Sequence, residues 1–269
     1  MLIVNNDDFG MYHAINAAVI HSIEEGIASS CSLMVLSPWA RHAMHLLRER
    51  PEVPFGIHLT LVCDTTHFRW EPLSEKAAVP SLLDDETGTL FAPAGIPQLL
   101  AGARLNEIEL EFRAQIDAVV AAGLAPSHLD WHCLADGGRD DILDLTVALA
   151  GEYGFAVRAW GEAGRHKLRQ RGLPVIDNDV LDSFNLDIEG KPARYAQLLR
   201  DLPAGLSEWA IHPGLGNEES QAIDPEGWLV RRTDYEFLTS PTARELLQQE
   251  GIVVTDYRAA QRAWVTQGR

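Results

Sequence analysis

Four short stretches place carboxylates and imidazoles where they could act together. VNNDDFG (Val4 to Gly10) sets Asp7 beside Asp8 after an apolar run, and FGIHLTL carries His58 inside an otherwise apolar pattern. SHLDWHC contains His128, Asp130 and His132, and WAIHPGLG ends an apolar run at His212, just before Pro213 and Gly214. Imidazole and carboxylate are ligands for divalent ions and the usual acids and bases of hydrolysis. A period of two puts His128, Asp130 and His132 on one strand face, with Leu129, Trp131 and Cys133 on the other. Each stretch alone has a plain structural reading: Asp8 can cap the helix that follows, and a lone strand histidine is more often a core residue than a ligand. Their coincidence favours convergence on one site. Adjacent residues of a straight strand face opposite ways, so Asp7 and Asp8 can share a site only if the strand bends at its end, as Gly10 would permit.

The elements needed to position these residues follow from hydrophobic periodicity. Strand-like runs cover Leu2 to Asn5, Ser30 to Leu36, Phe55 to Leu61, His128 to Cys133, Phe155 to Ala159, Ser207 to His212 and Ile252 to Thr255. Helical spacing covers Met11 to Glu25 and Asn106 to Ala122, the latter with Asn106 as cap and Glu109 reaching back to it. Strands separated by helices imply parallel pairing, and this many repeats predicts an α/β fold: a single-domain, TIM-like (distorted β/α) barrel over residues 1–269. In a parallel barrel the strand C-termini open on one rim, where Asp7, Asp8, His58, His128, Asp130, His132 and His212 could meet.

Two segments break the alternation. Cys63 to Pro97, after the third strand, reads as a long lid insertion whose Phe68 or Trp70 could stack on the apolar face of a bound ring. Gly161 to Leu186 mixes the basic RHKLRQR with the acidic PVIDNDVLD and reads as solvated surface with a short helix and strand.

Composition bounds the partners. The 269 residues are 46% hydrophobic and 23% charged, enough for a sizeable core, and the formal charge of -17 argues against nucleic acid and anionic membranes. No apolar run approaches membrane-spanning length and LIV follows Met1 at once, so the expected location is the cytoplasm. Cys31, Cys63 and Cys133 form no C-x-x-C pair and are expected as free thiols. The expected partner is a small molecule, and a homodimer is one option for assembly.

NNDDFG, GIHLTL, SHLDWHC and IHPG, in this order, resemble the YdjC-like (ChbG/HpnK) carbohydrate deacetylase family, whose opening pattern is close to N-A-D-D-F-G. The resemblance implies a distorted TIM-type barrel, one divalent metal ion (Mg2+ or Zn2+), and hydrolysis of the acetamide of an N-acetylated amino sugar or short oligosaccharide. By position it implies Asp8, His58 and His132 as metal ligands and Asp7 as base. His128 shares the strand face and is the rival of His132. The chain departs from the family at Asn6, where Ala is usual, and at Asp130-Trp131-His132-Cys133-Leu134, where the family often runs D-S-H-x-H. Expelling an amine requires a proton, for which His212 is the candidate acid, and Arg158 could orient Asp7 and balance its charge. Two other readings stay open: a different metal-dependent barrel hydrolase acting on an ester, cyclic amide or phosphate ester, and a non-catalytic sugar-binding protein.

Overall fold

Short runs of Val, Ile and Leu separated by amphipathic helices favour parallel pairing, and the strand ladders are all parallel. The computed structural model describes residues 1–267. Its strands are β1 (Leu2–Phe9), β2 (Ser30–Leu33), β3 (Phe55–Leu59), β4 (His128–Trp131), β5 (Ala156–Val157), β6 (Leu181–Asp182), β7 (Ser207–Ile211) and β8 (Val254–Thr255). The helices are α1 (His13–Glu24), α2 (Ala40–Glu49), α3 (Ile96–Gly102), α4 (Leu105–Ala121), α5 (Asp140–Tyr153) and α6 (Glu162–Gln170). After them come α7 (Lys191–Arg200), α8 (Glu218–Ile223), α9 (Trp228–Leu238), α10 (Pro241–Gln249) and α11 (Arg258–Gln267).

Seven strands form one curled row, β5-β4-β3-β2-β1-β7-β6, with β8 paired to the start of β1. The expected TIM-like barrel is met in part: the parallel sheet curls as a half-barrel, whose edges β5 and β6 are not paired to each other among the described residues. The physical reason lies in the edges: each is only two residues long and has few backbone groups to offer a ladder. The opening is covered by side chains instead. Tyr257 is buried there, the Trp264 indole donates to Pro174 O at 3.0 Å, and Gln261 Nε2 donates to Gly154 O at 2.9 Å. β1, wholly buried, pairs with three strands, β2, β7 and β8.

Asp8 caps nothing. α1 starts after Tyr12 without a side-chain cap, and Glu219 accepts from the Ala14 N–H at 2.8 Å. Asn106 is likewise no cap, because α4 begins one residue earlier and Glu109 accepts from Arg113 at 2.9 Å instead.

The segment 63–97 is tied down along its length. Glu107 accepts from the Ser81 N–H at 2.8 Å, and Glu111 from the Leu73 and Ser74 N–H groups at 3.0 and 2.9 Å. Trp70, only 4% exposed, lies in the core beside Phe68, which meets Tyr12 edge-on, so the expected stacking of Trp70 on a sugar is not available. In 161–186 the basic run becomes α6, with Lys167 and Arg171 paired to Asp144 at 2.7 and 2.6 Å; the acidic part supplies β6. Among the described residues no helix is long and apolar enough to cross a membrane.

Candidate active site

The puzzle of the paired aspartates is resolved by backbone handedness. Asn5 and Asp7 face the concave side of the sheet, while Asn6 faces α1, its amide 3.3 Å from Ser22 Oγ. Asp8 should follow Asn6 outward, but it adopts φ +65 at a register shift between β1 and β2, and this turns its carboxylate to the side of Asp7. Aspartate tolerates the left-handed region better than most residues. Gly10, at φ +109, completes the turn, and a Cβ there would come within 2.9 Å of Met34 O, so a side chain would have no room.

Asp8 then meets two histidines from neighbouring strands. Its Oδ1 lies 3.1 Å from His132 Nδ1 and 3.6 Å from His58 Nε2, and one ligand atom from each of the three residues lies within 4.8 Å of the others. His58 Nδ1 is held by Asp130 Oδ1 at 2.9 Å, which aims Nε2 at the group, and Asp130 is fixed by Ser32 and Arg158, both at 2.6 Å. An imidazole steered by a carboxylate is the usual support of a metal-binding histidine. Burial alone would raise the Asp8 carboxyl, but the Arg231 guanidinium, with His132 and His58, holds it well below its ordinary range. Burial would lower His58, yet Asp130 and Asp8 push it up to about 9; His132 is likewise raised, against burial, by Cys133 and Asp8.

His128 takes a different place. It lies deeper on the same strand face, its ring stacked on Tyr257 at 4.0 Å and bonded to Ser127 Oγ at 3.0 Å, and burial pushes its pKa down to about 4. A Cβ at residue 56 would come within 2.4 Å of that ring, so Gly56 makes its space.

Asp7 is gripped from below. Arg158, buried at the end of β5 and no surface residue, donates to Asp7 Oδ1 at 2.9 Å and Oδ2 at 3.1 Å, and Asn5 Nδ2 donates to Oδ1 at 2.7 Å. Glu208 Oε1 lies 2.5 Å from Arg158 Nε, and Tyr257 in turn donates to Glu208. Burial pushes Glu208 up to about 7 despite that guanidinium. Across the site His212 Nε2 lies 3.8 Å from Asp7 Oδ2, while its Nδ1 bonds Ser183 Oγ at 2.9 Å and its N–H donates to Asp234 at 3.1 Å.

The strand ends thus bring together all six residues singled out as ligands or catalysts. Sequence reasoning missed Arg231, Asp64 and Ser183. Arg231, on α9, donates to Asp8 Oδ2 at 2.7 Å and Asp224 at 2.9 Å and lies 3.5 Å from Asp64. A cavity of about 300 Å³ opens over the group, lined by Asp7, Asp8, His58, His132 and His212 together with Asp64, Asp182, Trp131, Trp160 and Phe184.

The profile of a family described as YdjC-like protein matches residues 1–249. The chain belongs to that family. Among its relatives, a carbohydrate deacetylase of Brevibacillus brevis is 37% identical over 262 residues, covering 95% of this chain and 98% of the relative. A chitooligosaccharide deacetylase of Yersinia pestis is 30% identical over 264 residues, covering 93% and 95%. A crystal structure from Enterococcus faecalis V583, named for cellobiose-phosphate cleavage, superposes with a TM-score of 0.80 at 25% identity, covering 96% of this chain and 97% of that one. Within the YdjC-like family the departures noted above have structural places here: Asn6 faces α1, the Trp131 indole donates to Thr146 at 3.1 Å, and Leu134 is buried at the cavity wall.

Proposed function

We propose that this chain is a metal-dependent hydrolase that removes the acetyl group from an N-acetylated amino sugar or a short oligosaccharide of such sugars, releasing acetate. The observation that carries the reading is the position of Asp7: clamped by Arg158, it faces His212 at 3.8 Å beside the Asp8, His58 and His132 group. The names of the relatives support the same chemistry.

The donor set fits a divalent ion. Two imidazoles and one carboxylate suit Zn2+ and its neighbours, and Mg2+ if water completes its shell. Asp8, His58 and His132 would hold the ion, with Asp130 fixing the His58 ring. When bound, such an ion polarises a carbonyl and makes water a better nucleophile near neutral pH.

The chain's own residues divide the proton transfers. Asp7 Oδ1 is occupied by Asn5 and Arg158, which leaves Oδ2 the freer oxygen to accept the proton of an attacking water. His212, anchored through Nδ1 on Ser183, presents Nε2 to the site and delivers a proton to the departing amine. Phe184, 41% exposed and edge-on to His212, replaces Trp70 as the aromatic surface for a sugar ring. Asp64 and Pro93, from the two ends of segment 63–97, line the cavity, and that segment serves as its cover.

The four carboxylates of the cavity wall, facing an Arg231 already paired with Asp8 and Asp224, disfavour a phosphate ester and favour a neutral substrate. The test is release of acetate from short chito-oligosaccharides by metal-loaded protein, with a sugar phosphate as control. Acetate from the first and no phosphate from the second is the expected result; phosphate release alone, or sugar binding without turnover, would overturn the reading.

A further inference from the structure

His132 offers one ring nitrogen to each of two donor sets. Nδ1 faces Asp8 at 3.1 Å, while Nε2 lies 3.3 Å from Cys133 Sγ and 3.7 Å from Asp64 Oδ1. The hydrolysis proposed above uses neither Cys133 nor that second nitrogen. One ligand atom from each of Asp64, His132 and Cys133 lies within 4.8 Å of the others. Ligands about 2.0–2.3 Å from a common ion stand roughly 3–4 Å apart, and both distances from Nε2 fall in that range.

We propose that Asp64, Cys133 and Nε2 of His132 form a second cation position, selective for a soft or borderline ion such as Zn2+ or Cd2+. Thiolate donors discriminate in favour of such ions and against Mg2+ and Mn2+. Access is open, because Cys133 is exposed and lines the cavity with Asp64. Asp64 has an oxygen to give: Oδ2 faces Arg231 at 3.5 Å and Oδ1 faces His132. Binding displaces the thiol proton. With both positions filled the His132 ring bridges them as an imidazolate and also loses its last N–H proton. An ion at the second position stands in the cavity, so an excess of a thiophilic metal competes with substrate there.

This inference borrows only His132 from the proposed hydrolase site and is tested without turnover. Cys31 and Cys63 are buried, so a thiolate signal from the folded protein belongs to Cys133. The experiment is equilibrium dialysis of the whole chain against Cd2+, with ultraviolet thiolate-to-metal charge-transfer absorption read on the same samples. Wild type should bind two Cd2+ and show the absorption; Cys133→Ser should bind one and show none. Asp64→Asn should need at least ten-fold more Cd2+ to develop the band, and Asp8→Ala should keep it. No band in wild type, a band persisting in Cys133→Ser, or a band lost together with all bound Cd2+ in Asp8→Ala would overturn the second position. Absence of acetate release with the band intact would count against the hydrolase reading alone.

Discussion

Arg231 on α9 donates to Asp8 Oδ2 at 2.7 Å, so a helix engages one oxygen of this carboxylate while the other faces His132 and His58. The guanidinium opposes the burial that would otherwise raise the Asp8 pKa. In Arg231→Leu burial is no longer opposed by this charge and the carboxyl pKa rises. Since a ligand must be deprotonated, metal affinity should fall about 10–100-fold, with the deficit growing as pH is lowered. Metal titrations of both proteins between about pH 5 and 8 would check it; superimposable curves would refute it.

The ligand assignment separates His132 from its strand neighbour. Alanine at Asp8, His58 or His132 should remove most bound Mn2+, an ion that a thiolate position disfavours, with the fold retained, because these side chains meet at the strand ends, above the apolar core. His128→Gln should keep its metal, because that ring is turned to Tyr257 and Ser127. Elemental analysis of the purified variants decides the matter, and metal lost from His128→Gln alone would reverse the assignment.

Asp7 is proposed as base rather than ligand, and Asn is close to it in shape. Asp7→Asn should lower kcat by roughly two to four decades with metal content unchanged. Loss of metal equal to that of Asp8→Ala would mean that the two aspartates share the coordination.

His212 should matter in proportion to how badly the leaving group needs a proton. His212→Ala should slow an N-acetyl sugar at least ten-fold more than an activated acetate ester, whose leaving group departs unprotonated. Equal losses on both substrates would make His212 a positioning residue.

Burial of His128 also makes a statement about acid stability. Its folded pKa of about 4 lies below the unfolded value of about 6.5, so at this site the unfolded chain binds more protons in that window and the contribution of His128 to stability falls as pH drops from 6.5 towards 4. The loss amounts to about 3 kcal/mol at most, from 1.36 kcal/mol per pKa unit. His58, raised to about 9, is protonated in both states over most of that window and adds little to the slope. Glu208, raised to about 7, contributes with the opposite sign over the same window, so the test is the difference between the two proteins: in thermal unfolding His128→Gln should gain stability relative to wild type as pH drops from 6.5 towards 4, and parallel curves would contradict this.

Strand-borne residues were legible in the sequence because a strand has a period of two and parallel strands end on one rim. Asp7, His58, His132 and His212 lie at the rim as that rule expects, although the rule alone does not separate His132 from His128 on the same strand face. Asp8 does not, since alternation points it outward and only its left-handed backbone brings it in. Arg231 carried no signal: in WLVRRTDYEFL an arginine reads as the solvated face of a helix, and its partners lie far away in sequence. Ser183 follows a two-residue strand, too short to show a period, and the same brevity at β5 and β6 hid the open side of the barrel.

That open side ties together residues made far apart in time. Asp7 leaves the ribosome long before Tyr257, which holds Glu208 and through it the Arg158 that grips Asp7. β8 must also wait to join the start of β1. Contacts so distant in sequence form late and slowly. A nascent chain would therefore carry every proposed ligand and the base well before the base is braced, and competence for hydrolysis would arrive as a final event of folding.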